Sequence, residues 1–239
     1  MKDALDHIRT IPLSDLPIPN DGASGHRTEG RTTPDEGVVV VEGILIAQGS
    51  DLSALDASDV RDSLLFAQLA ADYEAPRTTN PQDWYDIYSS TLSTLGWAEA
   101  SHSVNTSDQT PPINWERALL GQFTSGNRER ARSALSLADA MREDAPARLV
   151  WSRAVAGNTA INFAVAVADC HNGSPGVVEV RAIAAMQFDQ NGFCDWATGF
   201  KFDLVVDRRN LNEDVYEKLR GTVKERLGDR VERYIIAVD

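Results

Sequence analysis

Residues with chemical potential are few in this chain and widely spaced. The four histidines, His7, His26, His102 and His171, fall at no spacing that would put two imidazoles on one face of a helix or strand, as a metal pair requires. His171 follows Cys170 and makes the sole Cys/His neighbour pair. At a strand end adjacent side chains point to opposite faces, so these two cannot easily share a metal or act as nucleophile and base. There is no Walker-type phosphate loop, no Gly-x-Gly-x-x-Gly and no Gly-x-Ser-x-Gly. Residues 51–62 are rich in aspartate but lack the glycine and closing glutamate of an EF-hand loop. No catalytic, cofactor-binding or metal-ligating residue is therefore assigned, and no cofactor is expected. An active site is open to this chain only if scattered polar residues converge, and spacing does not say which carboxylates do.

Charge distribution carries more information. A net charge of −13 over 239 residues argues against generic binding to nucleic acid or anionic membrane, because neutralising phosphates needs a surplus of Lys and Arg on some face. The acidity is uneven. Residues 51–75 hold Asp51, Asp56, Asp59, Asp62, Asp72 and Glu74 against Arg61 alone, whereas Arg128, Arg130 and Arg132 crowd the start of a later helix. Opposite patches on separate helices suit contact with a protein partner or between copies of the chain, so Asp56, Asp59, Asp62, Arg128, Arg130 and Arg132 are the candidate interaction residues. Such association is expected to weaken as salt rises.

The elements that would position these groups are organised around residues 158–207. Three extended runs follow one another there, joined by His171-Asn172-Gly173-Ser174-Pro175 and Asp189-Gln190-Asn191-Gly192, whose Asn-Gly steps tolerate the positive φ of tight turns. In the first run Ile161, Phe163, Val165 and Val167 alternate with Ala160, Ala164, Ala166 and Ala168, and an alanine face lets a helix approach closely. In the second, Val178, Val180, Ala182, Ala184, Met186 and Phe188 alternate with positions that include Glu179, Arg181 and Gln187. Trp196, Phe200, Phe202, Leu204 and Val206 alternate with Asp195, Lys201 and Asp203 in the third. One face of this meander reads as core and the other as partly wet. Cys170 and Cys194 sit beside different turns, roughly 40 Å apart at about 3.3 Å per residue, too far for a disulfide.

Outside the meander, residues 1–36 read as a flexible arm broken by Pro12, Pro17, Pro19 and Pro34, with an apolar cluster of Ile8, Ile11, Leu13, Leu16 and Ile18 able to dock. Residues 38–46 read as one strand with Gly43 as a bulge. Helices follow at about 60–74, capped by Asp56 or Ser58, and from Asn80-Pro81 to Gly96 with Trp84, Tyr88, Leu92 and Leu95 on a core stripe. A strand over 97–106 precedes helices at 114–123 and 125–142. Residues 148–155 fit both periods, a helix begins at Asn212 and closes at Gly228, and 231–238 reads as a last strand.

The expected fold is α+β: a single domain over 37–239, behind the arm, whose mostly antiparallel sheet, with its central three-stranded meander, is covered by paired helices. Pairs of helices around a sheet of long strands resemble the Cyt-type cytolysins, and that resemblance implies a membrane-active protein. Two functions are thus expected in turn. The first is a non-enzymatic protein-interaction or assembly protein using charged helix faces and the arm. The alternative is a pore-forming, cytolysin-like protein whose long strands insert after the helices are displaced, since strands longer than about 9–11 residues can span a bilayer. Two unpaired thiols and no apolar leader point to the cytoplasm, or to export without a Sec-type signal peptide. No apolar run reaches the roughly 18 residues of a membrane-spanning helix.

Overall fold

In the computed structural model the chain is described over residues 2–13, 16, 37–106, 115–142, 145–155, 160–171, 173–185 and 202–238. The described elements run α1 (Lys2–Thr10), β1 (Gly37–Val41), β2 (Ile44–Gln48), α2 (Ala54–Glu74), α3 (Pro81–Thr94), β3 (Trp97–Thr106), α4 (Trp115–Leu120), α5 (Ser125–Ala140), α6 (Pro146–Val155), β4 (Ala160–His171), β5 (Ser174–Ala185), β6 (Phe202–Leu211), α7 (Glu213–Leu227), α8 (Arg230–Tyr234) and β7 (Ile235–Ala237). The strands form one sheet in the order β3-β6-β5-β4-β2-β1-β7. β2 pairs with β4 in parallel and every other neighbour is antiparallel, so the expected α+β fold with a mostly antiparallel sheet holds.

Helices cover both faces. On one, α4, α5 and α6 pack over Val38, Val40, Leu45, Phe163, Val165, Val167, Val180, Leu204 and Val206. On the other, α1, α2, α3, α7 and α8 pack over Val39, Val41, Ile44, Ile46 and the alanine row Ala164, Ala166, Ala168. α2 is buried over most of its length, from Ala57 to Ala71, because the sheet lies beneath it and α3 and α7 lie against it. The aromatic stripe of α3 is core, with Trp84, Tyr88, Leu92 and Leu95 all at 1% exposure or less.

Several boundaries differ from the sequence reading, each for a physical reason. Residues 38–46 are a hairpin, not one bulged strand: Glu42 adopts φ 52, and the chain reverses over Glu42-Gly43. A Cβ at Gly43 would lie 1.9 Å from Arg77 Nη1, so any side chain there would displace that guanidinium. The helix expected from about 60 begins at Ala54, because Ser53 and Asp56 form a reciprocal capping box. Residues 148–155 belong to helix α6, and Arg230–Tyr234 is a short helix before β7. The third meander strand, expected to end near Val206, runs on to Leu211. Gly96 at φ 99 and Gly228 at φ 54 close α3 and α7 as their spacing predicts.

The start of the expected arm is a helix docked on the body. Ile8, Ile11 and Leu13 are buried, and the carbonyls of Ile11 and Leu13 accept hydrogen bonds from Arg226 and Arg230. Residues 17–36, the second meander turn at 189–192 and Cys194 lie outside the described residues.

Candidate functional site: a buried charge ladder that surfaces at His102

The alternation of β5 and β6 sends Glu179, Arg181, Asp207 and Arg209 to the same face of the sheet. That face is not wet. Helix α3 lies over it, and the four side chains are 0–5% exposed. Glu179 and Asp207 are direct cross-strand partners, an arrangement that repels unless each acid is neutralised locally. Each is, by the arginine two residues along its own strand: Arg181 Nη2 to Glu179 at 2.7 Å and Arg209 Nη1 to Asp207 at 3.1 Å. Helix α3 supplies the remaining donors, with Tyr88 OH to Glu179 and Tyr85 OH to Asp207, both at 2.7 Å. Burial first, and then the facing carboxylate, raise both phenols, so they stay protonated and donate. Burial works against the charge on Arg209, yet Asp207 and Glu179 overcome it and raise its pKa.

The ladder continues inward. Arg181 Nη1 donates to Asn162 at 2.8 Å, and its guanidinium lies 4.6 Å from the Trp84 ring centroid, with that of Arg77 at 4.4 Å. Trp84 Nε1 donates to Asp72 at 2.6 Å, and Arg77 bridges Asp72 and Glu42. Burial pushes the Glu42 carboxyl up to about 7, against the pull of Arg77, with Asp72 adding to the rise.

The outer end reaches solvent on β3. The register shifts between Glu99 and Ser101, leaving Ala100 without a ladder partner, and this bulge turns Glu99 and His102 onto the ladder's face despite their odd spacing. His102 Nδ1 lies 2.8 Å from Asp207 Oδ1 and 3.2 Å from Tyr85 OH. Its ring is 36% exposed, while the aspartate behind it is 1% exposed. An ionised carboxylate only accepts, so Nδ1 carries the proton and Nε2 is left as the basic nitrogen. Glu99, His102 and Asp207 bring possible ligand atoms within 4.8 Å of one another, the one such group among the described residues. A cation fits them poorly, because the Arg209 guanidinium already sits 3.1 Å from Asp207 and 3.9 Å from Glu99. The arrangement suits holding and moving a proton at Nε2.

The residues singled out from charge patterning are placed elsewhere. Asp56 closes the α2 capping box. Asp59, 2% exposed, takes a two-pronged contact from Arg220 at 2.7–3.0 Å, and Asp62, 3% exposed, accepts from Ser58 and faces Lys224 at 3.7 Å. Burial raises the Asp62 carboxyl, and Lys224 pulls it back. The acidic side of α2 is thus matched within the chain by α7. Arg128 closes the end of α4 by donating to the carbonyls of Leu120 and Phe123, both at 2.9 Å. Arg130 lies 3.8 Å from Asp169, and Arg132 pairs with Glu129 on its own helix. The two sets are not brought together. The His102 cluster escaped spacing rules because a bulge cannot be read from Ala100, but the ladder left a signal: Glu179-x-Arg181 set among aliphatic residues, and Asp207-x-Arg209 directly after the aliphatic run Leu204–Val206.

No family model and no curated protein matches the chain. Among solved structures, that of the Evf virulence factor aligns over 99% of this chain and 92% of its own at 13% identity, with a TM-score of 0.37. A likeness of that order carries no argument about what this chain does.

Proposed function

We propose that the protein is an assembly protein whose contact surface is the outer edge of β3, where a second copy pairs strand to strand. The observation that carries this is the edge itself: among the described residues β3 ends the sheet, runs for ten residues, and is exposed at every position after Trp97. An unpaired edge presents a row of backbone donors and acceptors to any extended segment. The bulge at Ala100 and the charge of Glu99 guard its first half, whereas beyond them Val104 is 55% exposed and no Lys or Pro lies along Trp97–Thr106. The charged helix faces support this less, since Asp59, Asp62 and Arg128 are spent on contacts within the chain.

The salt expectation changes with the surface. Two copies each carrying −13 repel, so screening strengthens edge pairing where it would weaken a bridge between patches. Light scattering from low to high salt is the test. The expected result is a mass above the 26.1 kDa monomer that grows with salt and returns to 26.1 kDa in Val104→Lys, which puts a charge in the middle of the pairing edge. A monomer throughout, or association unchanged by Val104→Lys, overturns the proposal.

A second reading, membrane insertion, is favoured by one observation. The β4, β5 and β6 strands are 12, 12 and 10 residues long, with an apolar row on one face and Asn162, Glu179, Arg181, Asp207 and Arg209 on the other. Lipid-facing and lumen-facing rows of a spanning hairpin alternate in that way. Among the described residues no helix is long and apolar enough to cross a membrane. Dye release from vesicles tests this reading, and tight vesicles at high protein concentration reject it.

A further inference from the structure

We propose that His102 is a general base, held by Asp207, that hydrolyses activated acyl esters at the solvent face of β3. This inference is independent of strand pairing, because it uses the imidazole and not the backbone edge. Three observations combine. The Nδ1–H is committed to Asp207 at 2.8 Å, which fixes both tautomer and ring orientation. Asp207 cannot turn away, since Tyr85 OH at 2.7 Å and Arg209 at 3.1 Å hold its other oxygen. The ring itself is stacked on Tyr85, 5.9 Å between centroids, yet the side chain remains 36% exposed, and Nε2 is the ring nitrogen not committed to Asp207.

A bare structural role explains this geometry less well. Asp207 is already neutralised by Arg209 and hydrogen-bonded by Tyr85 without the histidine, and the bulge at Ala100 is what turns the imidazole toward it.

The reaction balances with water as the sole co-reactant. Nε2 takes a proton from water as the water oxygen attacks the acyl carbon, and the carbonyl π pair moves onto oxygen. Collapse restores the carbonyl, the leaving group departs with the electron pair of its bond to carbon, and the imidazolium returns the proton to it. The products are a carboxylic acid and an alcohol, phenol or thiol. The proton returned to the leaving group comes from His102 itself, whose neighbours in this cluster are the carboxyls of Glu99 and Asp207. The substrate class is therefore limited to acyl groups with good leaving groups, aryl esters and thioesters, and amides are excluded.

The test is hydrolysis of p-nitrophenyl acetate by the full chain near pH 8. A positioned base contributes about 10²–10⁴-fold, so turnover should exceed that of equimolar free imidazole by roughly 10²-fold. It should vanish in His102→Gln, persist in His171→Gln, and leave no acyl adduct on the protein by mass spectrometry. A rate no higher than imidazole, retention in His102→Gln, or a stable acyl adduct in place of turnover overturns the proposal. Nitrogen NMR of the unmutated protein gives a reading that does not depend on how the variant folds: above its titration His102 should be the Nδ1–H tautomer, and an Nε2–H tautomer refutes the assignment.

Discussion

At the scale of single residues, the inner end of the ladder sets a measurable pH dependence. Glu42 adopts a positive φ that side chains seldom take, and it points its carboxyl into the core beside Arg77 and Asp72. Burial is the largest influence and lifts its pKa from an ordinary 4.5 to about 7. A carboxyl raised in the folded state favours its protonated form there. Its contribution to stability is complete below the unfolded value and is lost as pH rises through the folded one. At about 1.4 kcal/mol per pH unit, the loss between pH 4.5 and 7 is on the order of 3 kcal/mol. Glu42→Gln keeps the shape and removes the titration. The stability of the parent, measured in denaturant and expressed relative to that of the variant, should therefore fall across this window. A relative stability that is flat or rises would show that Arg77 outweighs burial and that the folded carboxyl is ionised throughout.

Elements were legible where the local chemistry is self-contained and illegible where a distant partner decides. Asn80-Pro81 and Asn212 begin α3 and α7, and Gly96 and Gly228 end them, because caps and left-handed closures act over four residues. The ladder was half legible. Alternation placed Glu179 and Arg181 on one face, but it does not distinguish a wet face from one where charges neutralise each other under a helix. The β3 site was hidden by a one-residue bulge, and the β1–β2 turn by a glutamate in a conformation usually given to Asn or Gly. Helix α1 was hidden because the element it packs on, α7, lies more than two hundred residues away, as do Arg226 and Arg230, which hold the carbonyls of Ile11 and Leu13 just after it. That docking can be weighed. Three fully buried aliphatic side chains at about 1.5–3 kcal/mol each make roughly 5 kcal/mol, and at about 2–4 °C per kcal/mol removing residues 2–13 should lower Tm by on the order of 10 °C. A truncated protein melting within about 3 °C of the parent would mean that the helix rests on α7 without supporting it.

For the whole molecule the governing feature is that two cores share one sheet. The layer of α4, α5 and α6 and the layer of α1, α2, α3, α7 and α8 pack on opposite faces of the same strands, which meet each with alternate residues: Val165 and Val167 belong to one core, Ala164, Ala166 and Ala168 to the other, and Val150 of α6 packs against both. Removing either layer strips one face of β4 and exposes a continuous apolar row, so neither core persists alone at low cost. The ladder tightens this coupling, because Tyr85 and Tyr88 of α3 satisfy Asp207 and Glu179, and losing α3 would leave buried acids short of donors. Unfolding should therefore be a single cooperative transition despite the chain's length. By calorimetry the van't Hoff and calorimetric enthalpies should agree, near about 170 kcal/mol for 239 residues at about 0.7 kcal/mol per residue near 60 °C. Two resolved transitions, or a van't Hoff enthalpy about half the calorimetric one, would show that one helical layer melts off an intact sheet. That outcome would favour the membrane reading, since displacing a layer from the long strands is the step insertion requires.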